Sequence, residues 1–187
     1  YYGPVTVRTA LKNSLNVCAV SLLNQIGISA GLNYLQEVGI PLDDRDGNLS
    51  LALGSMTYGV SPVILAAAYS PFANGGIYYV PYFIEKITDL SGEVVYQHQP
   101  VSRQVLSTQA AYIMTDMLRT VTTSGTGAKL STAGVQVAGK TGTVNMTGGG
   151  NRDVWMAAYT SEISMATWMG FDNPDSNHKL ASRVSGG

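Results

Sequence analysis

Two hydrophobic periodicities follow one another along this chain, and their order constrains the fold more than any other feature. Up to position 73 the apolar residues recur at helical spacing; beyond it, short runs of aromatic and β-branched residues take over, with one long helical stretch among them. Val7, Leu11, Leu15, Ala19, Leu22 and Ile26 predict two helices joined by a polar elbow at 13–16, where cap-favouring side chains cluster. A third helix is expected over 30–38, ended by Gly39 and Pro41, with an acidic loop over 43–48. Ser61 and Pro62 supply the cap and first-turn proline of an apolar helix that runs to Ala73 and stops at Asn74-Gly75-Gly76.

The segments 77–88 and 93–96 flank Asp89-Leu90-Ser91-Gly92, a hairpin signal. Ser107 caps a long helix with Ala110, Met114, Met117 and Val121 on one face and Ala111 and Leu118 beside them, stopped by Ser124-Gly125-Thr126-Gly127. Strands are predicted over 135–144, 154–160 and 163–170, and the stretch 181–187 reads as a loose end. Helices followed by antiparallel strands, without repeats or a linker, give the fold class α+β, with 1–187 as one unit.

At 187 residues, 45% hydrophobic and 12% charged, the chain has enough apolar surface for a core. Eleven basic and twelve acidic residues, scattered without blocks, leave no electrostatic footprint for nucleic acid or an anionic membrane surface. A single cysteine, Cys18, set among Val17, Ala19 and Val20, excludes a disulfide within the chain and reads as a small core residue. Tyr1-Tyr2-Gly3-Pro4 is no signal peptide, and no apolar run is long enough to span a membrane. Because the chain starts without methionine, it reads as a piece of a longer protein, with any anchor upstream.

The chemistry concentrates in Lys140-Thr141-Gly142-Thr143, placed by the apolar run 135–138 on a buried strand that leads into a glycine turn. A cation, hydroxyls and a residue without a side chain at one strand edge suit acyl transfer. The ammonium lowers local pKa values, the hydroxyls bind a carboxylate, and glycine lets a ligand approach the backbone. Far upstream, Ser14-Leu15-Asn16 falls in the helical elbow; alone it also describes a pair of helix-capping residues. Together, and in this order, the two resemble two of the three elements that mark penicillin-binding proteins and serine β-lactamases: Ser-x-x-Lys, Ser-x-Asn and Lys-Thr-Gly.

Other candidates are weaker. His98 and His178 lack paired ligand spacing and read as solvated loop residues, so no metal is expected. Gly148-Gly149-Gly150 lies between two strands and opens no helix, unlike a phosphate loop. Trp155 and Trp168 are expected to pack in the core. Asp43, Asp44 and Asp46 lack the glutamate of a calcium loop and read as a solvated turn.

With these residues in view, the chain resembles the transpeptidase domain of class A penicillin-binding proteins, the bifunctional enzymes of bacterial cell-wall synthesis. The likeness rests on Ser14-Leu15-Asn16-Val17, Gly59-Val60-Ser61-Pro62, Tyr69-Ser70-Pro71-Phe72-Ala73-Asn74-Gly75-Gly76, Ala138-Gly139-Lys140-Thr141-Gly142-Thr143, Asp153-Val154-Trp155 and Ala158-Tyr159-Thr160, in that family's order over nearly the whole chain. The resemblance implies an antiparallel sheet packed with helices plus a helical lobe, and an active site in the groove between them. It also implies a nucleophilic serine in a Ser-x-x-Lys element before Ser14, which this sequence does not contain. Ser176-Asn177-His178-Lys179 matches that pattern, but it follows Lys-Thr-Gly and sits in a polar turn where no base is held in place. The chain is therefore expected to be the C-terminal portion of such a domain and inactive by itself.

In the implied mechanism the serine attacks the amide between the terminal D-alanines of a peptidoglycan stem peptide, and a β-lactam acylates the same serine. Ser14 relays a proton to the leaving amine, Lys140 polarises it, and Asn16 holds the substrate backbone. Thr141 and Thr143 grip the terminal carboxylate, next to Gly142. The Thr143 N–H forms half of the oxyanion hole, the serine's own N–H the other half. The implied setting is the extracytoplasmic face of a bacterial membrane, anchored by the upstream part of the polypeptide, with no cofactor. A β-lactam-binding sensor without turnover shares these motifs. A serine β-lactamase needs a carboxylate to activate water, and Glu37, Glu85, Glu93 and Glu162 are all placed away from Ser14.

Overall fold

The computed structural model describes residues 3–186; Tyr1, Tyr2 and Gly187 lie outside that range. The first three helices are α1 (Val7–Lys12), α2 (Asn16–Ile26) and α3 (Ile28–Glu37). Thr6 caps α1, its hydroxyl accepting from Thr9 N at 3.1 Å. Gly27, at φ 91°, turns α2 directly into α3. A 3-10 turn at Leu49–Leu53 packs on α2 with Leu23 and Leu51 both buried. Gly31 permits this approach, since a Cβ there would lie 2.8 Å from Leu23 Cδ1.

The acidic loop departs from expectation. Asp46 is buried and its carboxylate is fully engaged: Oδ1 accepts from Thr57 N (2.8 Å) and Oγ1 (2.7 Å), and Oδ2 from Asp43 N (2.9 Å). Those bonds hold its carboxyl below the ordinary range. Asp46 is therefore a clasp between two loops, a role that spacing between acidic residues does not reveal.

Helix α4 (Pro62–Ala73) begins as its sequence predicts, with Ser61 Oγ accepting from Ile64 N. Its Ala68 joins Val38, Ile40 and Tyr78 in one core cluster. Helix α5 (Thr108–Ser124) is capped by Ser107 and buries Ala111, Leu118, Val121 and Thr122. Ala110, expected on the core face, is exposed; the buried stripe is rotated toward Thr122, whose hydroxyl finds acceptors in Arg119 O and Val137 O. A second cluster joins Leu118 and Val121 to Ala138 and Tyr159 of the sheet, with Tyr69 and Phe72 of α4 against it. Burial pushes the Tyr159 hydroxyl up to about 12, and it pairs with Thr115 Oγ1 at 2.8 Å.

Two small ribbons pair β1 (Ile77–Tyr79) with β4 (Ser102–Gln104) and β2 (Lys86–Thr88) with β3 (Val94–Gln97). The main sheet is antiparallel and consists of β5 (Ala138–Asn145), β6 (Asn151–Tyr159) and β7 (Ser164–Gly170), with β6 in the middle. Helix α4 lies against β6 and β7, and α5 against β5. The hairpin is where it was expected, but the chain between 79 and 86 is not strand, and β4 carried no signal in its polar sequence. His98 is no solvated loop residue: it stacks on Tyr82 with ring centroids 3.8 Å apart.

Two further expectations fail. Val135 is 61% exposed, and β5 begins only at Ala138, after a 3-10 turn at Ala128–Ala133 and a left-handed Gly134. A run of apolar residues cannot by itself distinguish a strand from the loop that delivers it. The tail is not loose over residues 181–186 either. Leu180 forms a bridge with Asn151, Ser182 Oγ accepts from Gly150 N (3.1 Å), and Val184 O accepts from Asn151 Nδ2 (2.7 Å). No helix among the described residues is long and apolar enough to cross a membrane.

Candidate active site

The site begins at the elbow between α1 and α2. Asn13 is the C-cap of α1, Ser14 N donates to Leu11 O (3.2 Å), and Leu15 N donates to Ala10 O (2.9 Å). This pair of bonds closes a helix over a left-handed residue, normally glycine. In this chain that residue is Ser14, at φ 54°, the one non-glycine positive φ among the described residues. Holding a side chain in that conformation costs about 1 kcal/mol. Leu15, not a polar residue, occupies the N-cap of α2 with no side-chain cap bond, so neither Ser14 nor Asn16 caps the helix. Asn16 opens α2 and is exposed.

Across from the elbow runs β5, one of the sheet's two edge strands among the described residues. Lys140 Nζ donates to Ser14 Oγ at 2.9 Å and to Thr141 O at 2.8 Å. Strand alternation sends Lys140 to the opposite side of the pleat from Thr141 and Thr143. A four-carbon stem at a strand edge reaches round, and the ammonium comes back to the same cleft. Thr141, Thr143 and Ser14 line a cavity of about 350 Å³, together with Thr126, Ser185 and Gly186; Asn16 is not among the lining residues. Gly139 and Gly142 keep β5 tight against β6, for a Cβ at Gly139 would stand 2.6 Å from Ala157 O and one at Gly142 3.1 Å from Trp155 Cβ.

Partial burial pushes the Lys140 ammonium below its ordinary value. In the window between the lowered and the ordinary value the unfolded chain binds more protons than the folded one, so this group makes stability rise with pH there. Thermal melts across that alkaline window should therefore show wild type gaining on Lys140→Met. A constant difference would mean that the ammonium is not desolvated.

The structure thus brings Ser14, Lys140, Thr141 and Thr143 together, with Gly142 between the threonines; Asn16 is not brought into the cavity lining. Thr126, Ser185 and Gly186 were missed. Ser124-Gly125-Thr126-Gly127 carries an evident helix stop, which hid the hydroxyl inside it, and the last two lie in a stretch whose small polar composition reads as disorder. Asp175 and His178 pair within an exposed turn that contains Ser176, and Trp155 and Trp168 meet each other at 6.5 Å, half-buried.

Comparison with known proteins agrees with this geometry. The family described as "Penicillin binding protein transpeptidase domain" matches residues 1–186. Penicillin-binding protein 1F of Bacillus subtilis (strain 168) is 42% identical over 187 residues, covering 99% of this chain and 26% of that protein. The crystal structure of Penicillin-Binding Protein 1A from Haemophilus influenzae superposes with a TM-score of 0.85 at 25% identity, over 100% of this chain and 32% of that one. The penicillin-binding protein PonA1 from Mycobacterium tuberculosis gives a TM-score of 0.79 at 26% identity, over 95% and 52%. The chain spans about a quarter of the length of the Bacillus relative. Family match, superposition and the Ser14–Lys140 cleft converge on one conclusion: the chain belongs to the penicillin-binding protein transpeptidase domain family.

Proposed function

We propose that this chain supplies one wall of the active site of a serine D,D-transpeptidase that cross-links peptidoglycan stem peptides and is acylated by β-lactams. The observation that carries the reading is the 2.9 Å bond from Lys140 Nζ to the Oγ of Ser14, a residue that lines one cavity with Thr141 and Thr143. Ser14 accepts from an ammonium, so its own proton is free to point at a departing amine. That is the arrangement proton delivery to a leaving group requires.

The nucleophile is a serine contributed by residues outside this chain. Its Oγ attacks the carbonyl of the penultimate D-alanine; the C–N bond to the terminal D-alanine breaks, and the proton leaving the attacking serine is relayed through Ser14 to the departing nitrogen while Lys140 steadies the charge. An acceptor amine then attacks the ester, a new amide forms, and the serine regains its proton. Thr141 and Thr143 hold the terminal carboxylate, Asn16 the peptide backbone, and the Thr143 N–H one side of the oxyanion. The partners are a stem peptide ending in D-Ala-D-Ala, β-lactams, and the upstream part of the same polypeptide. The setting is the extracytoplasmic face of the bacterial membrane, to which the full-length protein is anchored.

Fluorescent penicillin tests this on the full-length protein. The expected result is one covalent label on a serine outside residues 1–187, found by peptide mapping. A label within them, or none at all, would overturn the assignment.

A further inference from the structure

Thr126 stands in the cleft without a part in the chemistry above. Its Oγ1 lies 2.8 Å from Thr141 Oγ1, and either hydroxyl has the geometry to donate. Both residues line the same cavity with Thr143 and Ser14. The main chain around Thr126 is fixed without help from its side chain. Thr126 N donates to Lys12 O (3.2 Å), and Gly125 N and Gly127 N both donate to Val121 O (3.0 and 3.1 Å). Gly125 makes this seat possible, since a Cβ there would stand 2.6 Å from Lys12 O. One turn therefore fastens the end of α5 to the end of α1, two residues before Ser14, and aims a hydroxyl at β5.

A carboxylate only accepts hydrogen bonds, so a hydroxyl facing it must donate. Thr141 has one proton; if it were given to Thr126, none would remain for the anion. We propose that Thr126 is a positioning residue for carboxylate recognition: its hydroxyl donates to Thr141 Oγ1 and so turns the Thr141 proton into the cavity, toward the carboxylate of the ligand. A donor that also accepts is polarised and binds the anion more strongly. This inference rests on the transpeptidase reading for the identity of the ligand, though not for the hydroxyl relay itself.

The test uses the full-length protein and Thr126→Val, which keeps shape and loses the donor, beside Thr126→Ser, Thr141→Val and the double variant. Acylation by fluorescent penicillin over a range of concentrations separates binding from chemistry. For Thr126→Val the half-saturating concentration should rise about five- to tenfold, the worth of one hydrogen bond, while the saturating rate stays within about twofold. Thr126→Ser should restore wild-type behaviour, and Thr126→Val should add nothing on the Thr141→Val background. An unchanged half-saturating concentration, a loss of equal size in that background, or a loss confined to the saturating rate would each overturn the proposal. Acetate binding, read from the backbone amide resonances of Thr141 and Thr143, probes the relay with no acylation step, and Thr126→Val should weaken it by the same factor. If wild type took up no penicillin while acetate still separated the variants, the transpeptidase reading would fall and this one would stand. Equal acetate binding by wild type and Thr126→Val would overturn it whatever the penicillin result.

Discussion

Replacing Ser14 with glycine should make the protein more stable and nearly inactive in one step. Ser14 holds the left-handed closing position of α1 at φ 54°, where a side chain is strained and glycine is not. Relief of that strain is worth up to about 1 kcal/mol, which a thermal melt of the variant resolves. The hydroxyl lost is the one that accepts from Lys140 and that the proposed mechanism uses to protonate the leaving group, so penicillin acylation should fall by about 100-fold or more. Ser14→Ala separates the two effects, losing the same rate with no gain in stability. On the proposed mechanism, the need for a hydroxyl at this point of the cleft is the reason the strained position is not a glycine. A Ser14→Gly protein that labelled at the wild-type rate would remove Ser14 from the mechanism.

The second large effect is expected at Lys140. Lys140→Met keeps most of the volume but removes both the charge and the bond to Ser14. Acylation should drop by about 100- to 10,000-fold, as for other groups that set proton transfer at the reacting centre. Stability should hold or rise, because the charge removed is partly desolvated. Lys140→Arg should not rescue the rate: a planar guanidinium cannot place a point charge between Ser14 Oγ and Thr141 O. Undiminished labelling of Lys140→Met would sink the role assigned to the lysine and, with it, the meaning of the cleft.

Most of the scaffold was legible because it follows from local physics. Ser61-Pro62 and Ser107 cap α4 and α5, the first two helices break where polar residues cluster, and the Asp89–Gly92 turn closes its hairpin. The misses share a cause. Strand β4 is polar and exists only because β1 lies beside it; Val135 is apolar yet exposed because the chain is still turning; Asp46 is acidic yet buried because Thr57 reaches it. In each, a tertiary partner overrides what the side chain prefers alone.

At the site the division is similar. Ser14, Lys140, Thr141 and Thr143 stood out as residue types suited to acyl transfer, whereas Thr126 was concealed within a helix stop and Ser185 and Gly186 within a tail. By itself the sequence determined the helix-then-sheet order, the helix starts and the chemical groups available, since capping, turn preference and periodicity act over a few residues. Only the tertiary structure decided that those groups meet. It closed an elbow on a strained serine, set an edge strand opposite, and let a long ammonium swing round the pleat to a hydroxyl 126 residues away in the chain. That convergence depends on packing between distant segments, which no local pattern encodes.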